Sequence, residues 1–298
     1  MTKESSAPEQ GTPKFSIPPA RHQSQQPDEA LLSSANCGLI VQRIGQLRGK
    51  YRSEGRQFAR ELAEYINESQ AGLATVFLYE ETFGTKERIH WFIHLRSLDA
   101  YPTMVAMGAG DEKFRKLILE ERTPDGGRWD VMFLDGSLRE TVLVPQRWRG
   151  DDGAEPPPDA RARDQSELAD DQLLHSANAS SIVQISGVLK SRHRERGRRL
   201  ARELATRWNR DRVGTGTAFL YEEAFGSCDR LHWLVHLSSL GAYRELAGAL
   251  TPGPVPPPAA DPAGGHEPED WRHMFVDGSL REVALTPQYW GMYATQKK

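Results

Sequence analysis

Residues 88–101 read RIHWFIHLRSLDAY, and residues 230–243 read RLHWLVHLSSLGAY. Each begins with an apolar run rich in aromatic and β-branched residues and continues through Ser-Leu-x-x-Tyr. That composition predicts a buried strand running into a helix. The two stretches lie 142 residues apart, and the same offset aligns every other recognisable block of the chain. It carries LLSSAN from Leu31 onto LLHSAN from Leu173, and RQFAREL from Arg56 onto RRLAREL from Arg198. It also carries FLYEETFG from Phe77 onto FLYEEAFG from Phe219, and W-x-x-MFLDGSLRE from Trp129 onto W-x-x-MFVDGSLRE from Trp271. A single offset that fits all blocks identifies a tandem duplication.

Each copy has the same order of elements. Gly38–Leu47 is β-branched and reads as a strand, and Ser53–Asn67 follows with apolar residues at helical spacing behind Ser53 as N-cap. Thr75–Glu81 and Ile89–Leu95 form a hairpin around FGTKER. A second helix opens at Ser97-Leu98-Asp99 and reaches about residue 121 with interruptions at Gly108 and Gly110; in the second copy prolines stop it near Leu250. Val131–Leu134 and Leu138–Val144 flank Asp135-Gly136, a tight-turn signal for a last hairpin. The order is β-α-β-β-α-β with an added strand, an α+β ferredoxin-like unit whose sheet is antiparallel with both helices on one face. One copy alone leaves an apolar sheet face open, which soluble monomers avoid. The expectation is two tandem repeats packing sheet to sheet as an intrachain pseudo-dimeric α/β barrel.

The predicted domain map has a disordered tail over 1–30, repeat 1 over 31–149, a charged linker over 150–170, and repeat 2 over 171–293 with a Pro-rich loop at 251–269. The tail and linker are too polar to offset ordering entropy. The net charge of −3 gives no case for nucleic acid as a partner. No run approaches the roughly 18 apolar residues of a membrane span, and the N-terminus lacks a signal-peptide core. A cytoplasmic protein is the default. With two cysteines, Cys37 and Cys228, at non-equivalent places, there is no disulfide framework and no zinc spacing. Two copies in one chain remove the need for a homodimer without forbidding one.

The strand-to-helix passages IHWFIHLRSLDAY and LHWLVHLSSLGAY resemble those of the dimeric α/β-barrel superfamily, which includes antibiotic-biosynthesis monooxygenases, EthD-like and NIPSNAP-like proteins, and haem-binding chlorite-dismutase relatives. The resemblance covers both repeats. It implies a ligand cavity between the sheets, and it leaves the function of the fold open.

His90 and His94, repeated as His232 and His236, are the most informative polar residues. On a helix their spacing would suit a metal; on a strand the two stand about 13 Å apart on one face, too far to chelate one ion. Trp91, Ile93 and Leu95 fill the other face, so the histidines are assigned to the interior. The same reasoning sends Phe77, Tyr79 and Glu81 inward, with Phe219, Tyr221 and Glu223 in the second copy. A one-residue slip would substitute Glu80 and Glu222. Histidine as base, tyrosine as donor and a carboxylate orienting the imidazole suit acid/base chemistry on a small-molecule substrate, with Phe77, Phe92 and Phe219 against its apolar body. That set predicts an enzyme of bacterial specialised metabolism, a cofactor-independent oxygenase, cyclase or isomerase acting on an aromatic or polyketide-like compound. Haem or metal ligation by one histidine is one alternative, and a non-catalytic ligand-binding or scaffold protein is another. Duplicated histidines also fit plain packing. The Asp135-Gly136 and Asp277-Gly278 turns read as structural, Arg139-Glu140 as a cross-strand pair, and Trp148 and Trp290 as strand anchors.

Overall fold

The computed structural model describes residues 18–146, 160–244 and 271–289. Among the described residues there are eight strands: β1 (Leu39–Gln46), β2 (Ala74–Glu81), β3 (Arg88–Leu95), β4 (Arg139–Pro145), β5 (Ser181–Val188), β6 (Gly216–Ala224), β7 (Arg230–Leu237) and β8 (Arg281–Pro287). They close into one barrel in the order β1-β3-β2-β8-β5-β7-β6-β4, and every neighbouring pair is antiparallel. The expected two sheets are thus joined at their edges. β2 meets β8 through Tyr79–Glu81, and β4 meets β6 through Val142–Pro145.

Among the described residues there are four α-helices: α1 (Arg52–Ser69), α2 (Ala100–Gly110), α3 (Glu112–Leu119) and α4 (Arg194–Asp211). Phe58, Leu62 and Ile66 of α1, with Met104 and Met107 of α2, bury the outward face of the first four strands, including Val76, Leu78, Trp91 and Ile93. The predicted break after Gly110 falls at Asp111, whose side chain accepts from the Phe114 N–H and caps α3. Two expectations need correction. Helix α1 starts at Arg52, after a 3-10 turn at Gly49–Tyr51, so Ser53 lies inside its first turn. The segment Val131–Leu134 is no strand. Trp129–Met132 form a 3-10 turn that seats Trp129 on Phe58, and only Phe133 bridges to Leu47.

The stretches read as tail and linker contain order from Pro18 and from Ala160 onward. Ala20–Gln23 and Ala162–Gln165 form matching 3-10 turns. The physical reason is the barrel seam. The β2–β8 ladder ends with the Gln288 N–H on the Leu78 carbonyl, and Gln23 caps it by donating to the Leu78 and Gln288 carbonyls and accepting from the Leu78 N–H. Gln165 does the same for Leu220 and the Gln146 carbonyl at the other seam. Composition reports polarity; it does not report that a polar side chain will complete a ladder. The Pro-rich loop at 251–269, the helix end near Leu250, and Trp148 and Trp290 lie outside the described residues.

Candidate functional site

Cross-strand partners share a face of a sheet, so the register decides what enters the barrel. Ile44 pairs with His90 on one side and Arg139 on the other, and His90 pairs with Tyr79. Ser186 likewise pairs with His232 and Arg281, and His232 with Tyr221. All four histidines therefore point inward. Glu80 lies on the opposite face, where Arg56 of α1 grips its carboxylate, and Glu222 is held in the same way by Arg198. Glu81 and Glu223 are the interior pair.

At the barrel's centre runs a chain of hydrogen bonds. The Gln42 amide donates to Gln184 Oε1 at 2.7 Å and to His90 Nδ1 at 3.0 Å. Gln184 returns the bond to Gln42 Oε1 at 2.8 Å and donates to His232 Nδ1 at 3.0 Å. An imidazole that accepts at Nδ1 carries its proton on Nε2. His90 Nε2–H accordingly donates to Glu81 Oε1 at 3.1 Å, while His232 Nε2 stands 3.6 Å from Glu223 Oε2, outside hydrogen-bond range. Arg88 pairs with Glu81 at 3.0 Å and Arg230 with Glu223 at 3.2 Å. The loops after β2 and β6 fold onto these carboxylates, Thr85 N–H donating to Glu81 and Ser227 N–H to Glu223. Burial lowers the His90 pKa further than Glu81 raises it, so the ring is neutral near pH 7. Burial pushes Glu81 up, but bonds from His90, Arg88 and the Thr85 N–H outweigh it and hold the carboxyl below its usual range. Glu223 is held low by His232, against burial, with Ser227 and Arg230 helping.

The other end of the barrel is plugged. Ser34 and Ser176, from LLSSAN and LLHSAN, each accept the other's N–H at 2.9 Å. The Ser176 hydroxyl donates to His94 Nε2 at 2.9 Å, and the Ser34 hydroxyl to His236 Nε2 at 2.8 Å. Nδ1–H of each ring donates to a strand carbonyl, Thr75 or Thr217. Tyr79 OH donates to the Ser176 carbonyl and Tyr221 OH to the Ser34 carbonyl, both at 2.6 Å. Each half therefore stoppers its partner half. Burial drives His94 and His236 down to about 3 and raises both tyrosines well above the usual phenol value.

Between plug and network, Phe77, Phe92 and Phe219 pack with Ile40, Leu143, Ile182, Leu234 and Leu285 in a wholly buried cluster. Phe77, Phe92 and Phe219, expected against a ligand's apolar body, are buried in this cluster. The tyrosines hold the plug, while Glu81 and Glu223 pair with the partly exposed Arg88 and Arg230. Sequence reading missed Gln42, Gln184, Ser34 and Ser176, although all four sit inside the repeated blocks at the same offset of 142. It also misread Arg139: Glu140 pairs with Arg43 outside the barrel, and Arg139 shares the face of His90.

A haem iron needs an imidazole with a free ring nitrogen facing open space. Both nitrogens of His90, His94 and His236 are hydrogen-bonded, and the interior beside them is filled. His232 Nε2 is unbonded but faces Glu223. The residues do not fit haem, and no group of three or more metal-binding side chains comes together among the described residues. No described helix is long and apolar enough to cross a membrane.

A family model described as a family of unknown function, DUF6039, matches residues 9–293. The chain belongs to that family. Comparison with curated proteins gives no match. Among solved structures, this DUF6039 chain is similar to a candidate monooxygenase from Lactobacillus acidophilus, at 9% identity and TM-score 0.48, covering 84% of this chain and 94% of that one. It is similar to an anthrone oxidase-like protein at 10% identity and TM-score 0.47, covering 86% and 94%. It is also similar to chlorite dismutase from Candidatus Nitrospira defluvii at 12% identity and TM-score 0.45, covering 84% and 92%.

Proposed function

We propose that this protein is a small-molecule enzyme that moves protons at a carbon acid, an isomerase or cyclase in which Glu81–His90 and Glu223–His232 are the proton-handling pairs. The tandem repeat then serves as an internal dimer, with one pair from each copy. The observation that carries this reading is the buried chain Glu81–His90–Gln42–Gln184–His232–Glu223. Replacing buried ionic groups by apolar residues of similar volume is often neutral or stabilising, so a purely structural core has no need of two carboxylates there. Neutral His90 behind an ionised Glu81 is the base form of the pair. When the loop over Glu81 lifts, its carboxylate loses the Thr85 N–H and gains basicity. The chain then takes the substrate proton at Glu81 and keeps His90 fixed in one tautomer through Gln42. The reaction calls for no cofactor. His94, His236, Tyr79 and Tyr221 are assigned to the plug, because their polar atoms are already engaged there.

The test is deuterium incorporation, followed by NMR in D2O, into a panel of aromatic and polyketide-like ketones and β-dicarbonyl compounds. Wild type should accelerate exchange at the carbon next to the carbonyl. Glu81→Gln/Glu223→Gln should cut that by roughly a hundredfold or more, the usual weight of a general base, with the thermal midpoint little changed. Equal exchange by the double variant, or no acceleration of any member by wild type, would sink the assignment.

A further inference from the structure

The open end of the barrel holds more positive charge than its carboxylates neutralise. Four arginines stand around it: Arg88 and Arg230, each paired with an interior glutamate, and Arg139 and Arg281, which have no ion-pair partner among the described residues. The register puts Arg139 on the face of His90 and Arg281 on that of His232. Arg139 is near enough to help depress the His90 pKa, after burial and alongside Arg88. Both unpaired arginines are exposed. At the same end, the loops folded over Glu81 and Glu223 carry Phe83, 67% exposed, and Phe225, 83% exposed. Phe225 is held at φ +59°, a left-handed conformation unusual for a bulky side chain. An aromatic side chain held in that conformation and displayed to solvent points to function.

We infer that this end is a binding site for an organic acid with an apolar body, its carboxylate taken by the Arg139 or the Arg281 guanidinium and its body covered by Phe225 or Phe83, whose loops follow the strands β6 and β2 that flank β4 and β8. Guanidinium binds carboxylate through paired N–H donors in one plane, and aromatic rings supply apolar area at small entropic cost. The paired arginines keep the two glutamates from repelling the incoming anion. The identity of this ligand as substrate rests on the proton-transfer reading; the site itself does not.

The experiment is equilibrium binding to the full chain, by calorimetry, of 2-naphthoate, octanoate, 2-naphthamide and acetate. Wild type should bind 2-naphthoate or octanoate saturably, and whichever binds more tightly distinguishes an aromatic from an aliphatic acid. 2-Naphthamide and acetate should each bind at least tenfold more weakly than that acid. Arg139→Gln/Arg281→Gln should lose tenfold or more, Arg139→Lys/Arg281→Lys should recover part of it, and Phe83→Ser/Phe225→Ser should weaken the apolar acid while leaving acetate unchanged. Absence of saturable binding by wild type, equal binding of the amide, or undiminished affinity in the Arg139→Gln/Arg281→Gln variant overturns the proposal. Glu81→Gln/Glu223→Gln should still bind the acid, so failure of catalysis and failure of the site are read separately.

Discussion

Gln42 and Gln184 use every donor they have in the barrel's centre, two amide protons each for one partner amide and one imidazole. Such saturation makes a single replacement worse than a double one in proportion. Gln42→Leu strands Gln184 Oε1, one Gln184 amide proton and His90 Nδ1 in a dry interior, and each buried orphan costs about 1–3 kcal/mol. In Gln42→Leu/Gln184→Leu the mutual amide bonds are gone together, leaving only the two imidazole acceptors unmet. A urea-denaturation cycle should therefore give a double-variant loss smaller than the sum of the singles by about 1 kcal/mol or more. Strict additivity would mean that the two amides do not interact. The interior place of Glu81 was legible from alternation along FLYEE, since Phe77 and Tyr79 set the phase. Gln42 was not, because a glutamine in a β-branched strand announces burial only when its partner, 142 residues away, is known.

The elements themselves were legible wherever the period of the pattern was long enough. β3 and β7 follow from their apolar runs, and the α2–α3 break follows from Gly108 and Gly110 with Asp111 ready to cap. The 3-10 turns at Ala20–Gln23 and Ala162–Gln165 were hidden, since an alanine and three polar residues acquire a role only from the seam they close. Their weight is measurable. Gln23→Ala removes three bonds to the strands at the β2–β8 seam. With roughly 1 kcal/mol for each typical hydrogen bond and more where a buried group is orphaned, the loss should be about 2–4 kcal/mol. Gln165→Ala should match it at the other seam, where the bonds repeat. Gln23→Glu keeps the acceptor and loses both donors, so it should fare little better than alanine at neutral pH. A wild-type midpoint in Gln23→Ala would show the turn to be ornamental.

For the whole molecule, the plug sets the acid limit. His94 and His236 titrate near 3 when folded, and His175, also driven down by burial, near 4. An unfolded histidine has a pKa of about 6.5. Between these values the unfolded chain binds the extra protons, so stability is complete above about pH 6.5 and falls as pH drops toward the folded values. Each fully buried histidine contributes about 1.4 kcal/mol per pH unit to that slope. Equilibrium unfolding between pH 6 and 4.5 should show an uptake of two to three protons. His94→Gln/His236→Gln should reduce the uptake by about two, even if it lowers the plateau. An unchanged slope would assign acid sensitivity elsewhere.

The mutual stopper also bears on the order in which the protein assembles. His94 Nε2 and Tyr79 OH find their partner in Ser176, and His236 Nε2 and Tyr221 OH find theirs in Ser34, with 82 to 202 residues between the bonded pairs. During synthesis the first half emerges with His94 Nε2 and Tyr79 OH unmet and both seam edges unpaired. Contacts of such separation form late, because the loop they close must first lose its freedom. Slower translation between the copies should therefore raise the fraction of chains that close each other's barrels instead of their own.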